Sequence, residues 1–510
     1  MRFRNAIKNS FFSVLAQIVL IFLGFGSSRV LNHQLGETLV GVNGVISNVI
    51  GVLSISELGF STAVVYHLYR ELAAKDEEKI AALMNLYRRA YQIIAGILFF
   101  SGLCLLPFIH HFMRENPFSV SYIRTLYLLW LLRTVLNYLL GYRRSILIAD
   151  QREYVVSIVV LATNFLDYMA VILVVFFTKN YMAALGMNIV FEGILNCLLN
   201  RYIEKKYIYL SRYRKLRLDR EGKALIFQDI KNIFFSQIAV KLLWSTDNLI
   251  ISGMIGVAVN GLFNNYSLIS TSVTSIVRAA GNSIQPTMAN LFLEKDSGKS
   301  CAVFRQLSFL FFWIASFVCA SLLCLMTPFV REFWLGEKYI LADSTVIFMA
   351  ACTAVHIMGM PLAMSMTVSG LFRIEKYLSG TAAVANIILS VVLVKPLGVN
   401  GVIFGTIFAH AFSLVVRGWN FFGKYLKLSI RQYAFELMSY FLLIFAESFL
   451  TVILVDRFYV TGNLGSFLLS CMICVCVPNG INLLIFFRTW RFRSMLGMFL
   501  GIMRRKSVGR

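Results

Sequence analysis

The sequence predicts an all-α polytopic membrane protein with about 14 transmembrane helices: two six-helix lobes related by a parallel repeat, and two further C-terminal helices. Composition, long apolar segments and an internal repeat predict this fold. Of the 510 residues, 58% are hydrophobic and only 14% are charged, whereas soluble proteins carry about 25% charged residues. Segments such as 11–31 and 154–177 reach the ~20 residues that cross ~30 Å of hydrocarbon.

The predicted spans follow one another with short connections. The first, which follows Arg2, Arg4 and Lys8, has a signal peptide as its alternative interpretation. Its length and the absence of a small-x-small cleavage pattern favour an uncleaved helix. The spans lie near 11–31, 38–66, 90–112, 122–142, 154–177, 181–200, 229–253, 261–289, 306–330, 340–369, 377–394, 398–416, 432–455 and 464–487.

The basic residues predict the orientation. With the N-terminus in the cytoplasm, 37 of the 48 Lys and Arg residues fall on the cytoplasmic side and seven on the other, counting residues at span edges with the loops they border. Cytoplasmic loops carry an excess of Lys and Arg. We therefore expect both termini to be cytoplasmic, and the net charge of +23 needs no nucleic-acid partner.

The sequence repeats itself at an offset of 220 residues. Gly36 and Gly41 match Gly256 and Gly261, and further matches follow at the same offset. Six spans separate the copies, so both enter the membrane the same way round. Such a parallel repeat is typical of transporters with a site between the lobes.

The repeat predicts the domain boundaries. We expect an N-terminal lobe at 1–210, a basic cytoplasmic linker at 211–227, a C-terminal lobe at 228–428, two additional helices at 429–488 and a basic cytoplasmic tail at 489–510. The basic stretch 201–223 is interpreted as a linker whose charge sets orientation. A surface for anionic lipid headgroups is the alternative.

Charged residues inside the spans are the candidate functional residues, because embedded ions usually face a cavity. Asp247 lies in the outer half of its span, and Arg29 lies at nearly the same depth in the repeat-equivalent span. Glu57 and Arg278 correspond at the inner end, and Lys241 lies between. We assign Arg29, Lys241 and Arg278 to substrate binding and Asp247 and Glu57 to gating or coupling.

Helix stapling is the alternative role of these ions. Three other acids lie within spans, but neither a repeat partner nor a cation makes a specific case for them, and they are interpreted as interior polar residues: Asp167, Glu192 and Glu447. An embedded glycan polymerase or glycosyltransferase ranks below a transporter, because no outer loop exceeds about a dozen residues. No metal or catalytic residue is predicted.

Several stretches resemble the polysaccharide-transport branch of the multidrug/oligosaccharidyl-lipid/polysaccharide exporter superfamily. They are "LGETLVGVNG" (35–44) with Arg29, "ELGFSTAVVYHLYRELAAKDEEKI" (57–80), "YRRSILIADQREY" (142–154) and "STDNLIIS" (245–252). The resemblance implies two lobes in a V shape. It also implies a MATE-like flippase in the bacterial cytoplasmic membrane that works by alternating access.

The cargo implied by the resemblance is an oligosaccharide on undecaprenyl pyrophosphate, moved to the outer leaflet for capsule, exopolysaccharide or O-antigen assembly. Membrane lipids, a polysaccharide polymerase and glycosyltransferases are the implied partners. No cofactor is expected, with proton or sodium coupling left open. A cation-coupled multidrug exporter and a lipid II flippase are the alternatives. Lipid II flippases carry an arginine in the second span, where this chain has Glu57.

Overall fold

The fold is described from a computed structural model of the 510-residue chain. The described residues are 17–54, 64, 67–68, 71–72, 74–150, 152–214, 216–218, 226, 246–293, 297–369, 371–427 and 429–493, with the backbone alone for 2–16 and for a few residues within these ranges. Every regular element in them is helical.

Six long helices precede the basic stretch. They are α1 (Arg2–Leu35), α2 (Glu37–Leu53), α3 (Glu77–Leu105), α4 (Val120–Gly141), α5 (Glu153–Thr178) and α6 (Tyr181–Lys206). Residues 246–254 form a further helical segment.

Seven more long helices follow. They are α7 (Val257–Leu293), α8 (Ser297–Pro328), α9 (Asp343–Val368), α10 (Phe372–Leu397), α11 (Val399–Asn420), α12 (Ile430–Phe458) and α13 (Leu464–Phe486). Short 3₁₀-helices occupy Ile109–Phe112 and Glu337–Tyr339, and π-helical turns occupy Phe329–Trp334 and Phe421–Leu426. Short α-helices occupy Arg144–Ala149 and Tyr209–Arg212.

Short polar side chains mark several helix starts. The Asp76 carboxylate accepts from the Lys79 amide at 3.0 Å, and this hydrogen bond lowers the pKa of Asp76. Such caps satisfy amides that have no partner within the helix. Four other helix starts have a side chain that accepts from a backbone amide in the same way: Ser119 at α4, Asn180 at α6, Ser429 at α12 and Asn463 at α13.

Nine helices within the described residues are long and apolar enough to cross a membrane, by length and composition. They are Val120–Gly141, Tyr154–Thr178, Tyr181–Lys206, Gly298–Trp334, Asp343–Val368, Tyr377–Leu397, Val399–Leu426, Ile430–Phe458 and Leu464–Phe486. Each coincides with one of the predicted spans. The prediction of an all-α polytopic membrane protein is confirmed.

The chain divides into two compact units, residues 1–264 and 265–510. The division falls inside α7, so the first eight residues of this helix belong to the first unit. The lobe, linker and tail boundaries stay predictions.

Within the first unit, α2 meets the start of α7 at the glycines that the repeat singled out. A Cβ on Gly41 would lie 2.0 Å from the Val257 carbonyl oxygen, and one on Gly261 would lie 2.0 Å from that of Glu37. Val257 and Gly261 are Glu37 and Gly41 shifted by 220, so the two contacts are reciprocal under the repeat. The repeat is therefore visible as a symmetric crossing that only glycine permits.

The two C-terminal helices pack on α8 within the second unit. The Phe312 ring stacks on Tyr440 of α12 with centroids 4.3 Å apart. The Trp313 indole donates to the Asn479 amide oxygen of α13 at 2.6 Å. Aromatic packing and a partly buried hydrogen bond thus hold α12 and α13 to the unit.

Candidate functional site

Two of the predicted site residues of the first unit lie on described helical segments. Arg29 lies on α1 with an exposed side chain, and Asp247 is half-buried in the segment 246–254. Glu57 and Lys241 lie outside the described residues. The pairings Arg29–Asp247 and Glu57–Arg278 stay predictions.

In the second unit, Arg278 lies beside two histidines. Nη2 of Arg278 on α7 lies 3.4 Å from Nε2 of His356 on α9. The His356 ring lies 4.8 Å, centroid to centroid, from the ring of His410 on α11. Three nitrogen-rich side chains from three helices therefore form a continuous row, which we call the Arg278 row. Guanidinium and imidazole N–H groups are donors that suit phosphate oxygens.

An ion pair joins α10 and α11 in the same unit. The Arg417 guanidinium makes two hydrogen bonds to the Glu375 carboxylate, one of them with Nε 3.1 Å from Oε2. Arg417 lies about two turns beyond His410 on α11. Its charge is thus engaged by a carboxylate in bidentate geometry, which is the strongest arrangement for this pair.

A second cluster lies wholly within the first unit. Arg133 of α4 donates from Nε to Glu192 of α6 at 2.8 Å and from Nη2 to Asp167 of α5. The guanidinium also lies 5.6 Å from the centroid of the Trp130 ring. One cation thus hydrogen-bonds to two acids and links three helices. Asp167 and Glu192 are buried, in keeping with their interpretation as interior polar residues, and the structure identifies Arg133 as the cation that the sequence did not indicate.

Sequence reasoning missed these partners for a physical reason. Arg133 lies 34 residues from Asp167 and 59 from Glu192, and no period relates residues on separate helices. The signal that was available is weaker: Arg133 was one of the few cations inside a span, and embedded ions seek partners. His356 and His410 are likewise ionisable residues within predicted spans, and the sequence reasoning did not consider them.

The third acid within a span, Glu447 of α12, is engaged by neutral groups. It is only 1% exposed. Ser316 of α8 donates to its Oε2, and the Asn482 amide of α13 lies 3.2 Å from the same oxygen. Glu447 thus joins both C-terminal helices to α8, in keeping with its interpretation as an interior polar residue.

The charges of the described spans follow a pattern. Asp167 and Glu192 are buried against Arg133, and Glu447 is buried among hydroxyl and amide groups. The side chains of Arg29 and Arg278 are exposed on their helices. No group of three or more His, Cys, Asp and Glu suited to a metal ion occurs in the part of the chain that the structure describes.

Comparisons with known proteins find likeness in structure. No family model matches the chain, and no curated protein sequence matches it. The solved structure of a lipid II flippase, MurJ, in an inward closed conformation superposes with a TM-score of 0.74, covering 92% of this chain and 98% of that one at 13% identity. An inward-facing multidrug resistance MATE transporter of the MOP superfamily gives 0.63, covering 79% and 96% at 12% identity.

A MATE transporter in the outward-facing conformation gives a TM-score of 0.56, with 81% of this chain and 93% of that chain covered at 13% identity. The flippase covers 92% of this chain and the inward-facing MATE transporter 79%. At these identities the likeness concerns the fold. The chain is a multi-pass membrane protein with the fold of MOP-superfamily flippases and transporters.

Proposed function

We propose that the protein is a flippase that moves undecaprenyl-pyrophosphate-linked oligosaccharides from the cytoplasmic to the outer leaflet of a bacterial membrane. The fold of flippases and transporters over nearly the whole chain supports a transporter rather than an enzyme. The resemblance of stretches such as 57–80 and 142–154 to the polysaccharide-transport branch supports the cargo.

One observation carries the choice of an anionic cargo. The acids Asp167 and Glu192 both hydrogen-bond to Arg133, while Arg278 is exposed and lies in a row with His356 and His410. A pyrophosphate that leaves water needs positive, hydrogen-bonding partners, because an uncompensated charge is costly in a low dielectric. The planar fork of arginine matches phosphate oxygens.

We infer an alternating-access cycle in which the cargo competes with acidic side chains for Arg29 and Arg278. In it, Arg29 pairs with Asp247 to close the outer end, and Glu57 pairs with Arg278 to close the inner end. Pyrophosphate entering from the cytoplasm competes with Asp247 for Arg29 and so shifts the equilibrium toward the outward-open state. Two unit charges 4 Å apart attract by about 4 kcal/mol at an effective dielectric near 20, before desolvation, which is enough to tip such a balance.

The test is the fate of the cargo in cells. Deleting the gene should leave lipid-linked oligosaccharide on the cytoplasmic leaflet. The native chain should restore export, and Arg278→Ala should not, at equal abundance in the membrane. Arg457→Ala is the matched control, since Arg457 is exposed at the far end of α12. Normal export with Arg278→Ala would refute the role of the row, and normal export in the deletion strain would refute the cargo.

A cation-coupled multidrug exporter is the second candidate. The likeness to MATE transporters favours it, and Asp247 is the acid that proton or sodium coupling would use. Efflux of cationic dyes from cells that carry the gene would distinguish this exporter from the flippase proposed above. A lipid II flippase remains the third, favoured by the likeness to MurJ, and accumulation of lipid II in the deletion strain would support it.

A further inference from the structure

An open pocket of about 600 Å³ lies in the second unit, at the end where α8 and α12 begin and α13 ends. Its lining includes three arginines, Arg305, Arg431 and Arg491, and one acid, Glu436. The pocket therefore carries a formal net charge of +2. Two further arginines, Arg488 and Arg493, lie close to Arg491 along the chain.

Glu436 holds two of the arginines in place. It is 8% exposed, and its Oε2 accepts from Nη2 of Arg491 at 3.0 Å. Nε of Arg305 lies 3.8 Å from the same oxygen, beyond hydrogen-bond distance. The Tyr440 hydroxyl donates to Oε1 at 3.0 Å and accepts from Nη1 of Arg491 at 2.8 Å. One carboxylate thus orients two guanidinium groups and neutralises only one of them.

Some N–H groups of the pocket arginines have no acceptor among the described residues. Nε of Arg305 is buried and has no hydrogen-bond partner among the described residues, although its Nη2 donates to Gln432 at 3.1 Å. Arg431 is exposed, and within the described part of the chain its guanidinium contacts no acid. A buried N–H without an acceptor costs free energy. An anion seated between these arginines would supply an acceptor to the exposed guanidinium of Arg431 and add a second negative charge beside Arg305.

An apolar stripe leads away from Arg431 along one face of α12. Phe435, Met438, Leu442 and Phe445 follow at three- and four-residue spacing and are 81%, 62%, 63% and 71% exposed. Residues at this spacing share a helix face. From Phe435 to Phe445 the stripe runs about 15 Å at 1.5 Å per residue, which is half of the ~30 Å hydrocarbon core.

A phospholipid has this combination of groups: an anionic phosphate joined to an acyl chain that spans one leaflet. We propose that the Arg305–Arg431–Arg491 pocket binds the headgroup of an anionic phospholipid, whose acyl chain lies along the exposed stripe of α12. Basic pockets between membrane helices on the cytoplasmic side are suited to such headgroups. The site belongs to a single unit and does not depend on the cargo proposed above.

The experiment is lipid binding to the purified full chain in neutral detergent, followed by native mass spectrometry. Phosphatidylglycerol should bind in a saturable manner and phosphatidylcholine should not. Arg431→Gln should weaken phosphatidylglycerol binding roughly tenfold, because it removes a charge-assisted hydrogen bond, and adding Arg305→Gln should weaken it further. Unchanged melting temperatures in phosphatidylcholine would confirm that both variants are folded.

Arg488→Gln is the matched control. Arg488 lies at the same end of α13, outside the pocket, with its guanidinium 5.2 Å from the Phe487 ring centroid. Equal loss of binding in Arg431→Gln and Arg488→Gln would show that only the positive charge of the surface matters, and it would overturn the proposal. Inorganic phosphate provides the last comparison. If phosphate alone displaced phosphatidylglycerol at millimolar concentration, the pocket would be a site for free anions and the lipid assignment would be wrong.

Discussion

The crossing of α2 and α7 makes a quantitative prediction. In Gly41→Ala the new Cβ would lie 2.0 Å from the Val257 carbonyl oxygen and 2.9 Å from the carbonyl carbon. Side-chain carbons do not approach other atoms closer than about 3.0 Å. The two backbones must therefore separate by roughly 1 Å, because neither contacting atom belongs to a flexible side chain. The move also stretches the 3.2 Å hydrogen bond from the Asn260 amide to the Gly41 carbonyl.

Two opposing effects set the magnitude. Alanine is favoured over glycine inside a helix by about 1 kcal/mol. Forcing an extra methyl into a close-packed contact costs about 1–3 kcal/mol, and weakening a hydrogen bond adds about 0.5–1.5 kcal/mol. We expect the steric cost to win, with a net destabilisation of about 1–3 kcal/mol.

Gly96→Ala on α3 is the matched control, since no described atom outside its own helix lies within 4 Å of the position that its new methyl would take. It keeps the helix propensity gain and has no clash, so its melting temperature in detergent should equal or exceed that of the native chain. Gly41→Ala and Gly261→Ala should each lower it. A Gly41→Ala melting temperature as high as that of Gly96→Ala would show that the helices do not cross this closely.

A double variant tests whether Gly41 and Gly261 share one contact. Once the first methyl has separated the helices, the second finds part of its space already open. The double variant Gly41→Ala/Gly261→Ala should therefore lose less stability than the sum of the single variants, as expected for sites that share one contact. Strict additivity would place the two glycines in separate contacts.

Three other outcomes are expected. Arg133→Met should lower stability by about 3–5 kcal/mol, since it leaves two buried acids without a cation; Tm measurements check this, and an unchanged Tm contradicts it. Arg29→Ala and Arg278→Ala should each abolish glycan export at normal abundance, with Lys only a partial substitute; normal export in both refutes the cationic site. In a Cys-free background, a cysteine at Glu115 should react with an impermeant thiol reagent in intact cells and one at Lys205 should not; the reverse result inverts the topology.

The structure excludes one position for that labelling experiment. From sequence, the loop residue Asn260 is an obvious labelling position on the outer side. It is 0% exposed, because its amide donates to the Gly41 carbonyl in the crossing. Glu115 is a better position, since its side chain is 72% exposed. A residue in a short loop can therefore be inaccessible to a labelling reagent when the helix ends around it pack closely.

The sequence by itself determined the features that depend on local composition and on repetition. Apolar length predicts the spans, because a helix in lipid must satisfy its own backbone and cover it with apolar side chains. The 220-residue offset predicts a parallel repeat, and Gly41 and Gly261 take equivalent places in a reciprocal contact. Both inferences use information that lies along the chain.

Only the tertiary structure decided which side chains meet across helices. Arg133 contacts acids on α5 and α6, Arg278 lies against His356, and Arg305, Arg431 and Arg491 share one pocket. These contacts depend on how each helix is rotated and tilted against its neighbours, which side-chain packing sets. Hydrophobic periodicity is weak in helices that are apolar on every side, so the sequence contains little record of those rotations.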